Sequence, residues 1–200
     1  WAFGYAGGII CLLIILFGFI QTDNPLFGIE KDMSANIRIA GPIVALWFIF
    51  FSLPLPFLLK INIIKNNQNK KKENLFKEVV KNIKVLFSNN NKGRFLLSRM
   101  IYTDGLNTLF AFGGLYAAGT FNMNFSEIII FGILINITAG AGALFFSYLE
   151  DKIGPKYVIN ISLILLIILG TIILFIHSKE WFLVLGSALG FFIGSIQSSS

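Results

Sequence analysis

Six long apolar runs, separated by short polar segments, occupy most of the chain. They cover about residues 2–21, 38–60, 95–119, 126–149, 157–177 and 181–200. Each run exceeds the roughly 18 residues that favour a helix crossing the hydrocarbon core of a bilayer. The alternation of apolar and polar residues that is typical of strands is absent. The pattern therefore predicts an all-α, polytopic transmembrane helix bundle.

The amino-acid composition is that of a membrane protein. Of 200 residues, 56% are hydrophobic and only 13% are charged, which is far from the composition of a soluble domain. The single cysteine, Cys11, allows no internal disulfide. Because the chain starts at Trp1 and stops at Ser200 within an apolar run, we expect it to be a fragment of a longer protein.

Basic residues are distributed very unevenly between the segments that join the runs. Segment 60–94 holds ten Lys or Arg and segment 147–157 adds Lys152 and Lys156, whereas the segments on the other side hold three: Lys31, Arg38 and Lys179. Cytoplasmic loops carry such an excess. We therefore expect 60–94 and 147–157 to face the cytoplasm, and we do not expect nucleic acid as a partner.

The long basic segment contains a helical pattern of its own. Apolar residues recur at helical spacing over 75–87, with lysines on the other face, which predicts an amphipathic helix on the cytoplasmic leaflet. A solvated linker with incidental periodicity is the alternative. Upstream, Pro54 and Pro56 are expected to bend or fray the end of the second run.

An acidic residue near the middle of the third run is the main functional candidate. Asp104 shares a polar and small-residue stripe with Asn107 and Thr108. Their i, i+3, i+4 spacing lets the three side chains converge on one ligand or water. A carboxylate at the bilayer centre costs about 2.5–3.5 kcal/mol on insertion scales. This favours a place on a wet pathway, although a purely structural role between packed helices stays open.

Small residues mark packing faces on two other runs. Gly186, Gly190 and Gly194 repeat every fourth residue on the sixth run, a spacing that lets helix backbones approach closely. A second stripe of small or polar residues lies on the fourth run and comprises Gly132, Asn136, Gly140, Ala143 and Ser147. The polar residues Asn136 on the fourth run and Gln197 on the sixth are further candidates for the pathway.

Signatures of enzymes and metal sites are missing from the sequence. No G-x-x-x-x-G-K-[ST] phosphate loop occurs, and one Cys with one His cannot form a metal cluster. No Ser/His/Asp arrangement is credible within the apolar runs. We therefore expect neither an enzyme nor a bound metal or cofactor.

The segment SYLEDKIGPKY at 147–157 resembles the G-x-L-x-D-[RK]-x-G-x-[RK]-[RK] loop of major facilitator transporters. Ser147 replaces the leading Gly and Tyr157 the last basic residue. The resemblance implies that the residues matching the motif form a cytoplasmic gating loop: Asp151, Lys152, Gly154 and Lys156.

Three stretches look like the vacuole-effluxer-like branch of that superfamily: WAFGYAGG at 1–8, ALWFIFFSLPLP at 45–56 and YTDGLNT at 102–108. Bacterial members mostly have unknown substrates, and fungal relatives are implicated in amino-acid export from the vacuole. The resemblance implies the major facilitator fold, with six of an expected twelve spans corresponding to helices five to ten. It also adds Tyr102 to the pathway candidates.

The resemblance divides the chain into the last two helices of an N-terminal half, 1–60, an inter-half loop, 61–94, and the first four helices of a C-terminal half, 95–200. It implies a monomeric secondary transporter, which we expect in a bacterial inner membrane, with a eukaryotic vacuole as the alternative. That protein would export or exchange a small molecule such as an amino acid, coupled to an ion or proton. The alternative is a channel-like or structural membrane protein in which Asp104 only packs helices.

Overall fold

Every regular element of the described chain is a helix. The computed structural model describes residues 1–22, 25–28, 34–55, 80–81, 84 and 90–199, and contains no strand among them. The prediction of an all-α helix bundle is confirmed. In chain order the helices are α1 (Ala2–Ile15), which continues as a π-helical turn (Leu16–Ile20), a 3₁₀ turn (Leu26–Gly28), α2 (Ala35–Arg38), α3 (Ala40–Ser52), α4 (Asn90–Phe121), α5 (Phe125–Ile153), α6 (Pro155–Leu174) and α7 (Lys179–Ser199).

Five helical stretches within the described residues are long and apolar enough to cross a membrane. They are Ala2–Ile20, Ala35–Ser52, Phe125–Ile153, Pro155–Leu174 and Lys179–Ser199. The third predicted span lies in α4, which is a continuous helix of 32 residues but is not among the five. Six spans were predicted, and α4 is more polar than the other five because it carries Arg94, Arg99, Asp104 and Asn107, so the third span stays a prediction.

The predicted cytoplasmic loop at 147–157 is much shorter than expected. Helix α5 continues to Ile153, and α6 begins at Pro155, so only Gly154 separates them. Gly154 has φ 84° and ψ 154°, a combination that is essentially restricted to glycine. The charged residues Asp151 and Lys152 misled the prediction, since at the end of a helix they are compatible with further helical turns.

The start of α5 is fixed by side chains at the opposite end of the bundle. The Asn124 side chain accepts a hydrogen bond of 2.9 Å from the Glu127 backbone N–H, and the Glu127 carboxylate accepts one of 2.8 Å from that of Asn124. This reciprocal capping box satisfies two backbone donors that a helix start leaves open. Lys179 at the start of α7 also forms an ion pair with Glu127, which joins the two helix starts.

The described residues form two compact units, Trp1–Phe51 with Ala111–Ser200, and Ser52–Phe110. Within the first unit, α5 and α7 run parallel and pack through glycines. A methyl group at Gly186 would lie 2.5 Å from the Phe131 ring, and one at Gly190 would lie 2.5 Å from Thr138 Oγ1. A methyl group at Gly194 would collide with the backbone of Ala139. Only glycine allows these helices to approach so closely.

Helix α1 packs on another face of α5 in the antiparallel direction. The contacts pair Tyr5 with Gly140, Gly8 with Asn136 and Leu12 with Gly132, so residue numbers rise on one helix as they fall on the other. Beyond this ladder, Cys11, Ile15 and Leu16 of α1 and its π-helical turn form a buried apolar cluster with Ile129. The small-residue stripe on α5 therefore receives α1.

The second unit is described for part of its length only. The predicted amphipathic helix at 75–87 lies outside the described residues except for Val80, Lys81 and Lys84, which are helical and exposed. Pro56 also lies outside them. Helix α3 ends at Ser52, two residues before Pro54, as expected for a chain that approaches proline.

Candidate transport pathway

The acidic residue at the centre of α4 lies on an exposed polar face of that helix. Asp104, Asn107 and Thr108 are all exposed. The Thr108 hydroxyl donates a hydrogen bond of 2.9 Å to the backbone carbonyl of Asp104. Among the residues that the structure describes, the Asp104 carboxylate has no hydrogen bond and no ion pair. Its oxygens are therefore free to accept hydrogen bonds from water or to bind a cationic group.

Tyr102 occupies a different side of α4 from this polar face. At about 100° per residue it lies roughly 200° around the helix from Asp104. Its hydroxyl is buried and has no hydrogen-bond partner among the described residues, and Leu106 on the same side is also buried, with 7% of its surface exposed. Tyr102 therefore does not converge with Asp104, Asn107 and Thr108 within this helix.

Asn136 lies in the contact between α1 and α5. Its Nδ2 donates a hydrogen bond of 2.8 Å to the carbonyl of Gly132, one turn earlier. Its Oδ1 is directed at α1, where a methyl group on Gly8 would lie 3.4 Å away. The amide thus brings an acceptor oxygen into an otherwise apolar interface.

Gln197 on α7 is hydrogen-bonded to a residue that the sequence analysis did not select. The hydroxyl of Tyr5 on α1 donates to Gln197 Oε1 at 2.5 Å, and both side chains are partly buried. Tyr5 Cβ lies 3.6 Å from the position of a methyl group on Gly140. Tyr5, Gln197 and Gly140 therefore bring three helices together at one point. The available signal was that Tyr5 and Cys11 are the only side chains in 2–20 with an O–H or S–H group.

A second set of hydrogen bonds surrounds the end of α7. The Ser199 hydroxyl donates to Glu150 Oε2 of α5 at 2.8 Å. Ser195 and Ser162 of α6 share a hydrogen bond between two fully buried hydroxyls. Two helices of the bundle are therefore tied to the last turns of α7, at the end of the molecule that carries Gly154.

The four residues predicted to form a gating loop lie at this same end. Asp151, Lys152 and Lys156 are exposed, and the Lys152 ammonium lies 4.5 Å from the centre of the Tyr148 ring. At this end of the bundle, the Glu150 carboxylate reaches a neighbouring helix through its hydrogen bond from Ser199.

The described residues contain no group of three or more His, Cys, Asp or Glu side chains that could hold a metal ion. The polar side chains described above carry phenol, amide, hydroxyl and carboxylate groups. Groups of these kinds bind water, protons and small polar molecules by hydrogen bonds and charge.

Comparison with known protein families gives a match that covers the whole chain. The family described as "vacuole effluxer Atg22 like" matches residues 1–200. The chain belongs to the vacuole effluxer Atg22-like family. No curated protein matches it, and no solved structure matches it.

Family membership and helix composition agree on the class of this Atg22-like protein. The family is one of membrane effluxers, and five described helices can span a bilayer. Large apolar side chains face outward on α6, where Ile167 is 69% exposed and Leu174 is 66% exposed. Such surfaces are favourable against lipid and unfavourable against water. The chain is thus a multi-pass integral membrane protein of a transporter family, in contact with the lipid bilayer.

The structure places five of the six predicted pathway residues of this Atg22-like chain in two groups, and Tyr102 belongs to neither. Asn107 and Thr108 lie beside Asp104 on α4. Asn136 and Gln197 lie in the contacts that α5 and α7 make with α1. The groups fall in the second and the first compact unit respectively, and each contains side chains that can hydrogen-bond a small polar molecule.

Proposed function

We propose that this protein is a secondary active transporter of the major facilitator superfamily that moves a small polar molecule, such as an amino acid, by alternating access. The observation that carries the proposal is the Asp104 carboxylate, exposed at the centre of α4 without a partner among the described residues. A helix in a bilayer bears such a group only where water, a ligand or another protein group compensates the charge.

Asp104 is proposed to couple transport to protons or to bind a cationic group of the substrate. Burial favours the neutral form of a carboxyl group, whereas water or a nearby cation favours the charged form. Alternating exposure to the two sides of the membrane would switch Asp104 between these forms. Asn107 and Thr108, on the same face of the helix, would orient the substrate or a water molecule.

Residues 1–60 are proposed to form the last two helices of the N-terminal half of the transporter and 95–200 the first four helices of its C-terminal half, joined by the cytoplasmic segment 61–94. Rocking of such halves about a central site is the usual mechanism of transporters built from repeated halves. The uneven distribution of Lys and Arg supports this orientation. The protein is further proposed to be a monomer of a bacterial inner membrane with no enzymatic activity.

The alternative proposal, in which Asp104 only packs helices, requires partners for its carboxylate. None occurs within the described residues, so we favour the transport role.

The direct test of the function is flux through the full-length protein in proteoliposomes. We expect saturable uptake of an amino acid or similar small molecule, with counterflow and acceleration by a pH gradient. Asp104→Asn is expected to reduce pH-driven flux roughly tenfold or more, because an amide cannot change its charge. Glu180→Gln, which removes an exposed carboxylate at the start of α7, is the matched control and should leave flux unchanged. Linear flux, or equal flux and pH dependence in both variants, would contradict the proposal.

A further inference from the structure

The contact between α1 and the pair α5 and α7 has an arrangement suited to opening and closing. Helix α1 precedes segment 61–94, and α5 and α7 follow it. In the proposed division of the transporter, this contact therefore joins the two halves. The inference that follows rests on that proposed function. A transporter that rocks must separate such a contact in one of its states.

The contact is closed in this structure. Gly8 faces Asn136 and Gly140 faces Tyr5 across a gap that holds no more than a methyl group, since a methyl group on either glycine would be in van der Waals contact, 3.4 Å and 3.6 Å from the facing atoms. We call this contact of α1 with α5 and α7 the seam. At the end of the seam near Gly154, the Tyr5 hydroxyl donates to Gln197 Oε1 at 2.5 Å. The Ser199 to Glu150 hydrogen bond, 2.8 Å long, ties α7 to α5 at the same end.

The nature of these contacts makes the seam reversible. Helices in a bilayer gain little from apolar association, because lipid tails are as apolar as the side chains they replace. A hydrogen bond between helices is individually weak in such a protein, so it can break and form again. When the seam opens, the phenol, the Gln197 amide and the Asn136 amide can all hydrogen-bond to entering water.

We propose that Tyr5 is a gating residue, which closes the pathway at the end of the bundle that carries Gly154 by packing on Gly140 and hydrogen-bonding to Gln197. The seam is closed in the conformation described here and opens when the substrate exchanges with the solution on that side. By the charge distribution, that side is the cytoplasm.

A reversible crosslink tests whether the seam must open. In the full-length protein with Cys11 replaced by Ser, the pair Tyr5→Cys and Gly140→Cys places two Cβ atoms about 3.6 Å apart, which is within the range of a disulfide. We expect oxidation to crosslink the two helices and to abolish transport, and we expect a reductant to restore it. Each single cysteine variant should be unaffected by oxidation.

Two results of this experiment would overturn the gate. One is full transport by the quantitatively crosslinked protein, and the other is failure of the two thiols to crosslink under oxidant. The proposed function is judged separately, by the flux of the unmodified protein. If the unmodified protein transports no substrate, the proposed function is wrong. If the unmodified and the crosslinked proteins both transport, the proposed function stands and the proposed gate is wrong.

A milder change tests the hydrogen bond itself. In the full-length protein carrying Cys11→Ser and Gly140→Cys, Tyr5→Phe removes only the hydroxyl. Labelling of the thiol introduced at position 140 by a water-soluble maleimide should then rise roughly two- to tenfold, the effect expected from the loss of one hydrogen bond. The matched control is Tyr148→Phe, since Tyr148 is 66% exposed and its hydroxyl has no hydrogen bond within the described residues. Equal labelling rates in the two variants would show that the Tyr5 hydroxyl does not hold the seam closed.

Discussion

At the scale of single residues, Asp104 is the main candidate for a functional role. It is exposed near the middle of α4, and a carboxylate at the centre of a membrane-spanning helix costs about 2.5–3.5 kcal/mol. Its neighbours on the helix face, Asn107 and Thr108, are also exposed. Tyr102 lies on another side, and its buried hydroxyl lacks a partner among the described residues. These closely spaced polar residues therefore lie on two different faces of α4.

The backbone conformation at position 154 requires glycine. With φ 84° and ψ 154° between α5 and α6, it occupies a region that other residues enter only at a cost of about 1–3 kcal/mol. We predict that Gly154→Ala destabilises the full-length protein by this amount, measured as thermal or chemical unfolding in detergent. Gly170→Ala in the middle of α6, where a methyl group meets nothing within 4 Å, should be neutral or stabilising. Equal stability of the two variants would contradict the strained turn.

At the scale of helices, glycine positions decide which elements meet and how closely. Gly186, Gly190 and Gly194 admit α5 to one face of α7, and Gly142 on α5 lies against the backbone of Phe191 on α7. Gly132 and Gly140 admit α1 to another face of α5. Because dispersion rather than the hydrophobic effect holds helices together in lipid, close approach is the main source of stability at these contacts.

The helix contacts predict unequal costs for glycine substitutions. Gly194→Ala would place a methyl group against the backbone of Ala139, which must shift, so we predict a loss of about 1–3 kcal/mol. Gly132→Ala adds a methyl group at an ordinary distance of 3.8 Å from Leu12 Cδ1 and should change stability little. Unfolding of the two full-length variants in detergent compares them, and a Gly194→Ala protein as stable as Gly132→Ala would refute the close contact.

The sequence alone predicted where the helices lie along the chain better than which helices pack against each other. Hydropathy identifies apolar helices because the bilayer imposes their length, and the stripe at Gly132, Asn136 and Gly140 correctly indicated a packed face. It could not tell that α1 is the helix packed there, since a small residue fits any neighbour. Tyr5 was missed because a lone tyrosine near the end of an apolar run resembles a residue at the membrane interface. The α5 to α6 boundary was misjudged because charges at a helix end resemble a loop.

At the scale of the whole molecule, the described helices and the family describe a multi-pass membrane protein of a transporter family. The proposed transport function involves two groups of polar side chains. One lies around Asp104, and the other consists of Tyr5, Asn136 and Gln197. The first is proposed to bind the substrate or its coupling ion, and the second is proposed to close access to the pathway. Both roles require that water reaches these residues in at least one state of the transport cycle.

The most direct measurement is the water accessibility of position 104 in the full-length protein. In a variant with Cys11 replaced by Ser, Asp104→Cys is compared with Leu109→Cys, which lies roughly 140° around the same helix. Both variants are treated in membranes with a membrane-impermeant, water-soluble thiol reagent. The account predicts rapid modification at position 104 and slow modification at position 109. A thiol at position 104 that is as unreactive as the one at position 109 would show that no hydrated pathway reaches this residue, and would contradict the account.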